Sequence, residues 1–198
     1  MAKQKRTSQR KDEEKMNINN PNNRTEAGTM ILPITEKLKY ILEKHKTRLE
    51  KELNIEIDIK ENHAEIKAGA FSEYLAKNII DALSFGFDIN TALLIQNPDY
   101  MFTVINLKEL VRNSRLRDVR GRIIGEKGKA KRVITELAEC DMTISDNIVA
   151  LIGKTENIAV ASKAIQSLIR GSPHASVYAF LEKCKRRLRE AEHLNFEK

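Results

Sequence analysis

Apolar residues recur along this chain in two rhythms, and the switches between them outline its elements. Ile55, Ile57 and Ile59 alternate with Glu56, Asp58 and Lys60, the period-two pattern of a strand buried on one side. A turn at Glu61-Asn62-His63 separates this run from Ala64, Ile66 and Ala68, which continue on a second strand. Upstream, Met30 to Ile34 reads as a short strand, with Pro33 favouring a sheet edge because proline cannot donate to a ladder. Leu38, Ile41, Leu42, His45, Leu49 and Leu53 then recur at helical spacing, over one helix or two. After Gly69, a helix carrying Phe71, Leu75, Ile79, Ala82 and Leu83 on one face runs to a stop near Gly86.

The same progression follows again. Met101 to Leu107 is β-rich, and Leu110 to Ile124 reads as a basic helical segment that Gly125 to Gly128 interrupts. Ala130, Val133, Ile134, Leu137 and Ala138 fall at i, i+3, i+4, i+7 and i+8, an amphipathic helix. Met142 and Ile144 mark a strand, Asp146-Asn147 a turn, and Ile148 to Ile152 another strand. Thr155 is placed to cap a helix bearing Ile158, Ala161, Ile165, Leu168 and Ile169. Gly171 and Pro173 end that helix, and a last one is expected from about His174 to Glu192. The order strand-helix-helix-strand-strand-helix thus occurs twice, as expected for a duplicated α+β unit of roughly 70 residues. Residues 1–28 carry mixed charges and an Asn-rich stretch without apolar periodicity, the composition of a disordered basic tail.

Charge sharpens this picture. The 198 residues carry a net charge of +7. Between Arg112 and Arg132 nine basic side chains face only Asp118 and Glu126, so one short stretch equals the whole chain's excess. A field focused in this way suits a polyanion such as a phosphate backbone. Residues 31–98 hold nine basic against eleven acidic side chains and offer no such field. The two cysteines are far apart, with Cys140 expected in the core, and no CxxC pair suggests zinc. His45, His63, His174 and His193 are scattered without metal-ligand spacing, so neither a metal nor a cofactor is expected. No apolar run approaches the about 20 residues needed to cross a bilayer, and the charged start has no signal segment. A cytoplasmic location is the simplest expectation.

The chemistry converges on Gly121-Arg122-Ile123-Ile124-Gly125-Glu126-Lys127-Gly128-Lys129-Ala130-Lys131-Arg132. Glycines at both ends of a four-residue bend permit backbone angles that other residues resist, and they keep side chains from holding a phosphate away. The helix start that follows offers unpaired N–H groups and a partial positive charge. Lys127 and Lys129 add mobile cations, and Arg122 flanks the bend. A KH domain uses a GxxG loop of this kind to clamp about four nucleotides of single-stranded backbone. Bases are then expected to cross toward Met142 and Ile144, packing on apolar side chains there together with Ile123 or Ile124. A nucleotide-binding P-loop fails on spacing, because Ile123 stands where its first glycine belongs and Ala130 replaces the magnesium-binding Ser or Thr. The first repeat has no glycine between Gly28 and Gly69, so it has no such loop.

Two stretches carry a resemblance to a known family. These are Arg120 to Ile134, with its G-R-I-I-G-x-x-G core, and Gly171-Ser172-Pro173-His174-Ala175-Ser176-Val177-Tyr178-Ala179-Phe180-Leu181-Glu182. Through them, residues 30 to about 192 resemble the archaeal KH proteins of small-subunit ribosome assembly, the Dim-two or partner-of-Nob-one family. The resemblance implies two tandem type I KH domains (β-α-α-β-β-α), the first without the glycine loop, and a C-terminal helix. It implies binding near the 3′ region of small-subunit ribosomal RNA during maturation. It also implies two protein partners, translation initiation factor two α subunit and an rRNA-processing endonuclease. Glu126 departs from the basic residue often found in the loop, leaving more of the phosphate attraction to Lys127.

The resulting expectation is a tail over 1–28, a degenerate KH domain over 29–98, a KH domain with the GxxG loop over 99–171 and a basic C-terminal helix over 172–198. RNA-binding residues are expected at Arg120, Arg122, Ile123, Ile124, Gly125, Glu126, Lys127, Gly128, Lys129, Lys131, Arg132, Met142 and Ile144. Lys183, Arg186 and Arg187 can extend the path, while His174 is expected to start or pack the last helix. No catalytic constellation stands out, so a non-catalytic RNA-binding factor is expected. Its rivals are a protein adaptor with RNA binding secondary, and an RNA-processing enzyme.

Overall fold

The computed structural model describes residues 29–196, with side chains as far as 190. The tail expected over 1–28 and the side chain of His193 lie outside the described residues. Two compact units divide between Lys77 and Asn78. The domain boundary expected after residue 98 falls inside the second unit.

The first unit comprises β1 (Thr29–Pro33), α1 (Glu36–Leu53), β2 (Glu56–Ile59), β3 (His63–Lys67) and the first turns of α2 (Ala70–Ser84). Its antiparallel sheet has the order β1-β3-β2, with Ile57 opposite Ile66 and Leu32 opposite Ala64. Pro33 sits on an edge strand, where its missing N–H costs no ladder bond. One helix, not two, joins β1 to β2. Leu38, Leu42, Leu49 and Leu53 form a single buried stripe along its 18 residues. Thr35 caps its start by accepting the Leu38 N–H at 3.3 Å, and Asn54 ends it in the left-handed region at φ 52. Phe71 differs from expectation: its ring is 75% exposed, and the buried part of that helix face begins at Ala76.

The second unit contains the rest of α2, then α3 (Ile89–Leu93), β4 (Tyr100–Asn106), α4 (Leu107–Leu110), α5 (Leu116–Ile124), α6 (Lys129–Ala138), β5 (Cys140–Ser145), β6 (Ile148–Lys154), α7 (Thr155–Arg170) and α8 (His174–Phe196). Its sheet has the order β4-β6-β5, again antiparallel throughout. The basic segment from Leu110 to Ile124 is not one helix. It breaks at Val111, where the backbone is extended, passes through a 3-10 turn at Asn113–Arg115 and becomes helical again at Leu116. Val149 and Leu151 join Leu107, Ile123, Ile134 and Ile165 in the main core. The opposite sheet face is also covered: Ile152 has no exposure, and Phe102 packs its ring 6.2 Å from Phe85 and 6.4 Å from Phe87. Thr155 begins α7 without capping it; its N–H and hydroxyl both reach the Asp99 carbonyl, at 3.0 and 3.4 Å. Among the described residues no helix is long and apolar enough to cross a membrane.

Candidate nucleic-acid interface

The bend between α5 and α6 is built from three departures from helical geometry within four residues. Gly125 ends α5 at φ 72, ψ 175, and its N–H bonds the Gly121 carbonyl at 2.8 Å. Lys127 is left-handed at φ 49, and Gly128 follows at φ 78. The two glycines serve different ends. A Cβ on Gly125 would lie 2.6 Å from both the backbone nitrogen and the Cβ of Ala130, so only glycine lets α5 and α6 cross this closely. Gly128 has open space around it and is required by its φ alone. A Gly125→Asp substitution would therefore disturb the bend itself as well as adding a negative charge to it.

Electrostatics follow from what is left unpaired. No side chain caps α6 and its first turn holds no acidic residue, so no side-chain charge offsets its positive dipole end, although the Gly128 and Lys129 N–H groups close the bend on the Gly125 and Glu126 carbonyls. Lys127 and Lys129 are exposed and Lys131 is half-buried; like exposed Arg112, Arg115 and Arg117, they have no ion-pair partner among the described residues. Arg132 stands 4.0 Å from Glu136, both exposed, a pair worth under about 1 kcal/mol. Glu126 is exposed in the bend.

Several expected contact residues are placed differently. Ile123 has no exposure and Met142 only 4%, so both side chains belong to the core rather than to a surface that bases can touch. Ile124 and Ile144 are half-buried and keep an accessible apolar side. β5 remains an edge strand, paired on one side only, so alternate backbone groups along it stay free to bond a ligand. Arg120 spans from α5 to the β5–β6 turn, donating from Nη1 to the Asp146 carbonyl at 3.1 Å. Arg122 turns away from the bend: Nε donates to the Leu168 carbonyl at 3.2 Å and Nη2 to the Ser172 carbonyl at 2.6 Å. As expected, His174 starts α8, and its Nε2 lies 2.9 Å from the Arg122 carbonyl.

The basic run of α8 divides in two. Lys185 and Arg189 reach Glu139 at 3.0 and 3.3 Å, and Lys185 also donates to the Glu136 carbonyl at the end of α6. Lys183, Arg186 and Arg187 stay exposed. Sequence reasoning missed Glu139, which is left-handed at φ 51 and whose carbonyl also accepts from the Asn157 amide at 3.1 Å. The only hint was an i, i+4 pair of cations on α8. Hydrogen bonding from Lys185, then its charge and Arg189, holds the Glu139 carboxyl below its ordinary range. Burial pushes the Cys140 thiol up to about 12, which keeps it protonated and unreactive.

Comparison with known proteins adds an independent line. A eukaryotic-type KH-domain model (KH type I) matches residues 101–186. An RNA-binding protein pno1 of Dictyostelium discoideum is 30% identical over 169 residues, 81% of this chain and 70% of that one. A KH domain-containing protein of Methanocaldococcus jannaschii is 29% identical, covering 74% of this chain and 67% of its own. The chain spans only 56% of the pre-rRNA-processing protein pno1 of Aspergillus oryzae. Among solved structures, Dim2p of Pyrococcus horikoshii superposes with a TM-score of 0.69 at 30% identity, covering 78% of this chain and 98% of that one. A complex of a/eIF2alpha, aDim2p and rRNA from the same organism contains a chain with a TM-score of 0.70 at 29% identity, over 80% of this chain and 94% of that one.

Proposed function

The chain belongs to the pno1/Dim2 family of KH-domain proteins, and on that premise we propose that it binds single-stranded RNA as a non-catalytic factor of small-subunit ribosome maturation. The observation that carries this reading is the bend itself. A pair of positive-φ glycines opens onto a helix start without a side-chain cap beside Lys127, Lys129 and Lys131, none of which has an ion partner among the described residues. Backbone N–H groups and free cations then meet successive phosphates. Ile124 and Ile144 offer apolar contact to bases, and the open edge of β5 offers hydrogen bonds. Gly121 adds access: it is exposed on α5, and nothing lies within 4 Å of where its Cβ would stand.

The names of the relatives support a place in pre-rRNA processing, and the neighbouring rRNA complex supports RNA as ligand. The 3′ region of small-subunit rRNA, a cytoplasmic setting and an rRNA-processing endonuclease as partner are the finer parts of the proposal. So are the two tandem KH domains over 29–98 and 99–171, for which the shared sheet order of the two units speaks. Lys183, Arg186 and Arg187 are proposed as an extension of the RNA path along α8.

The test is RNA affinity as a function of salt. Lys127→Ala should reduce the slope of log K against log salt by about 0.7, the loss of one single-strand phosphate contact. An unaltered slope would remove Lys127 from the interface.

An adaptor role has its own support. The first unit has no glycine bend, two cations of its helix α1 pair with carboxylates one turn on (Lys46 with Glu50, Arg48 with Glu52), and a structural neighbour was solved with an initiation-factor α subunit. Mixing the purified protein with that subunit, with and without RNA, separates the readings: a complex that forms only with RNA present contradicts the adaptor.

A further inference from the structure

The Gly171–Glu182 string has no part in the RNA contacts above, yet it begins at a corner that grips the end of α5 from two sides. Arg122 lies in the last turn of α5, three residues before Gly125. Its guanidinium fork is spent on two carbonyls of the α7–α8 corner, Leu168 and Ser172. The corner is itself tightly wound: Gly171 is left-handed at φ 100 and its N–H also returns to the Leu168 carbonyl, at 3.1 Å. A cation placed on the closing carbonyls of α7 complements the negative end of that helix. In return, the Arg122 carbonyl receives His174 Nε2 at 2.9 Å. A carbonyl only accepts, so Nε2 carries the hydrogen. That carbonyl belongs to the last turn of α5, where the bend diverts the chain and leaves helix acceptors without their usual donors.

One residue is therefore held through both its side chain and its backbone by a corner 46 to 52 positions away in sequence. We infer that Arg122 and His174 are positioning residues: they fix the end of α5, and through it the glycine bend, in the conformation that grips single-stranded RNA. Arg122 does not itself contact phosphate. The opposite side of the bend is fixed by the close crossing at Gly125 and Ala130, so the loop is set from two directions before RNA arrives. This inference rests on the RNA reading of the bend and assigns a role to a cation that charge alone would count among the contacts.

The experiment uses the full chain and a pool of short single-stranded RNA of randomised sequence. Affinity is measured over a range of salt, at temperatures below each variant's Tm. Arg122→Lys keeps the charge but loses the fork, and it should weaken binding about tenfold with the salt slope unchanged. His174→Leu should weaken binding similarly. His174→Gln, which keeps a donor within reach of the carbonyl, should recover most of that loss. Arg122→Lys binding like the parent overturns the inference, as does a slope that falls by about 0.7 in Arg122→Ala. Should the Arg122 variants fail to fold, the His174 pair decides: equal affinities for Leu and Gln overturn it. Lys127→Ala in the same assay separates the two levels. If it weakens binding while Arg122→Lys does not, only the brace fails. If it too has no effect, the RNA reading of the bend fails with it.

Discussion

The two units solve the same connection in opposite ways. In each, a three-stranded antiparallel sheet has its second strand in sequence at one edge and its third in the centre, so the first and second strands need a helical crossing between them. In the first unit that crossing is the uninterrupted helix α1, capped at both ends, with Lys46 and Arg48 paired to Glu50 and Glu52 one turn on. In the second it is broken between Ile124 and Lys129, and Lys127, Lys129 and Lys131 at the break have no acidic partner among the described residues, while Arg132 keeps one in Glu136. The same sheet thus carries either a continuous helix with two of its cations paired one turn on, or a broken one whose lysines at the bend have no acidic partner among the described residues. What separates them is a pair of glycines and three lysines left without an ion pair among the described residues.

Glycine substitution breaks the comparison most severely. Gly125→Ala should cost at least about 2 kcal/mol, because the new methyl meets the backbone of Ala130 and the residue is held at positive φ. Lys44→Gly in the exposed middle of α1 should cost under about 1 kcal/mol, an ordinary propensity effect. Thermal or urea unfolding of both variants measures the pair; equal costs would mean that the close crossing at Ala130 does not require a glycine at 125. Next comes RNA binding. Lys127→Ala with Lys129→Ala should weaken affinity by roughly tenfold or more at low salt, whereas Lys46→Ala with Arg48→Ala in α1 should change it less than about twofold.

The smallest effect concerns how the second unit is braced. Glu139 has its pKa lowered in the folded protein by Lys185 and Arg189. Its contribution to stability is therefore complete above the ordinary carboxylate pKa and lost as the pH falls through the lowered one. Because the side chain is 50% exposed, that contribution should stay under about 1 kcal/mol. Glu139→Gln should lower Tm slightly at neutral pH, and the difference should vanish in acid. A difference that persists in acid would show that the ion pairs are not its source.

Much of this contrast was legible in the residues. The alternation through Ile57 and Ile66 paired as expected, and Ala130, Ile134 and Ala138 form the buried stripe of α6 that their spacing announced. The spacing leaves α1 open between one helix and two, although Leu38 to Leu53 keep one register without a stop signal. Ile123 could have been assigned to the core, because it continues the inward face of Leu116 and Val119. Met142 could not. It shares a strand face with Ile144, and only the packing of helices over the sheet separates a buried side chain from a half-exposed one. Arg122 was equally opaque: local sequence shows a cation beside a phosphate loop, while its partners are carbonyls contributed by a distant corner. Charge patterns report how many cations are near a site, and tertiary hydrogen bonds decide which of them are free.

Photocrosslinking of the full chain to single-stranded RNA, with mass-spectrometric mapping of the adducts, tests the RNA-binding account of the bend most directly. Adducts should concentrate between Gly121 and Arg132 and on the β5 strand, with α1 nearly free of them. Adducts clustered on Glu36–Leu53, with none around Gly125–Gly128, would contradict it.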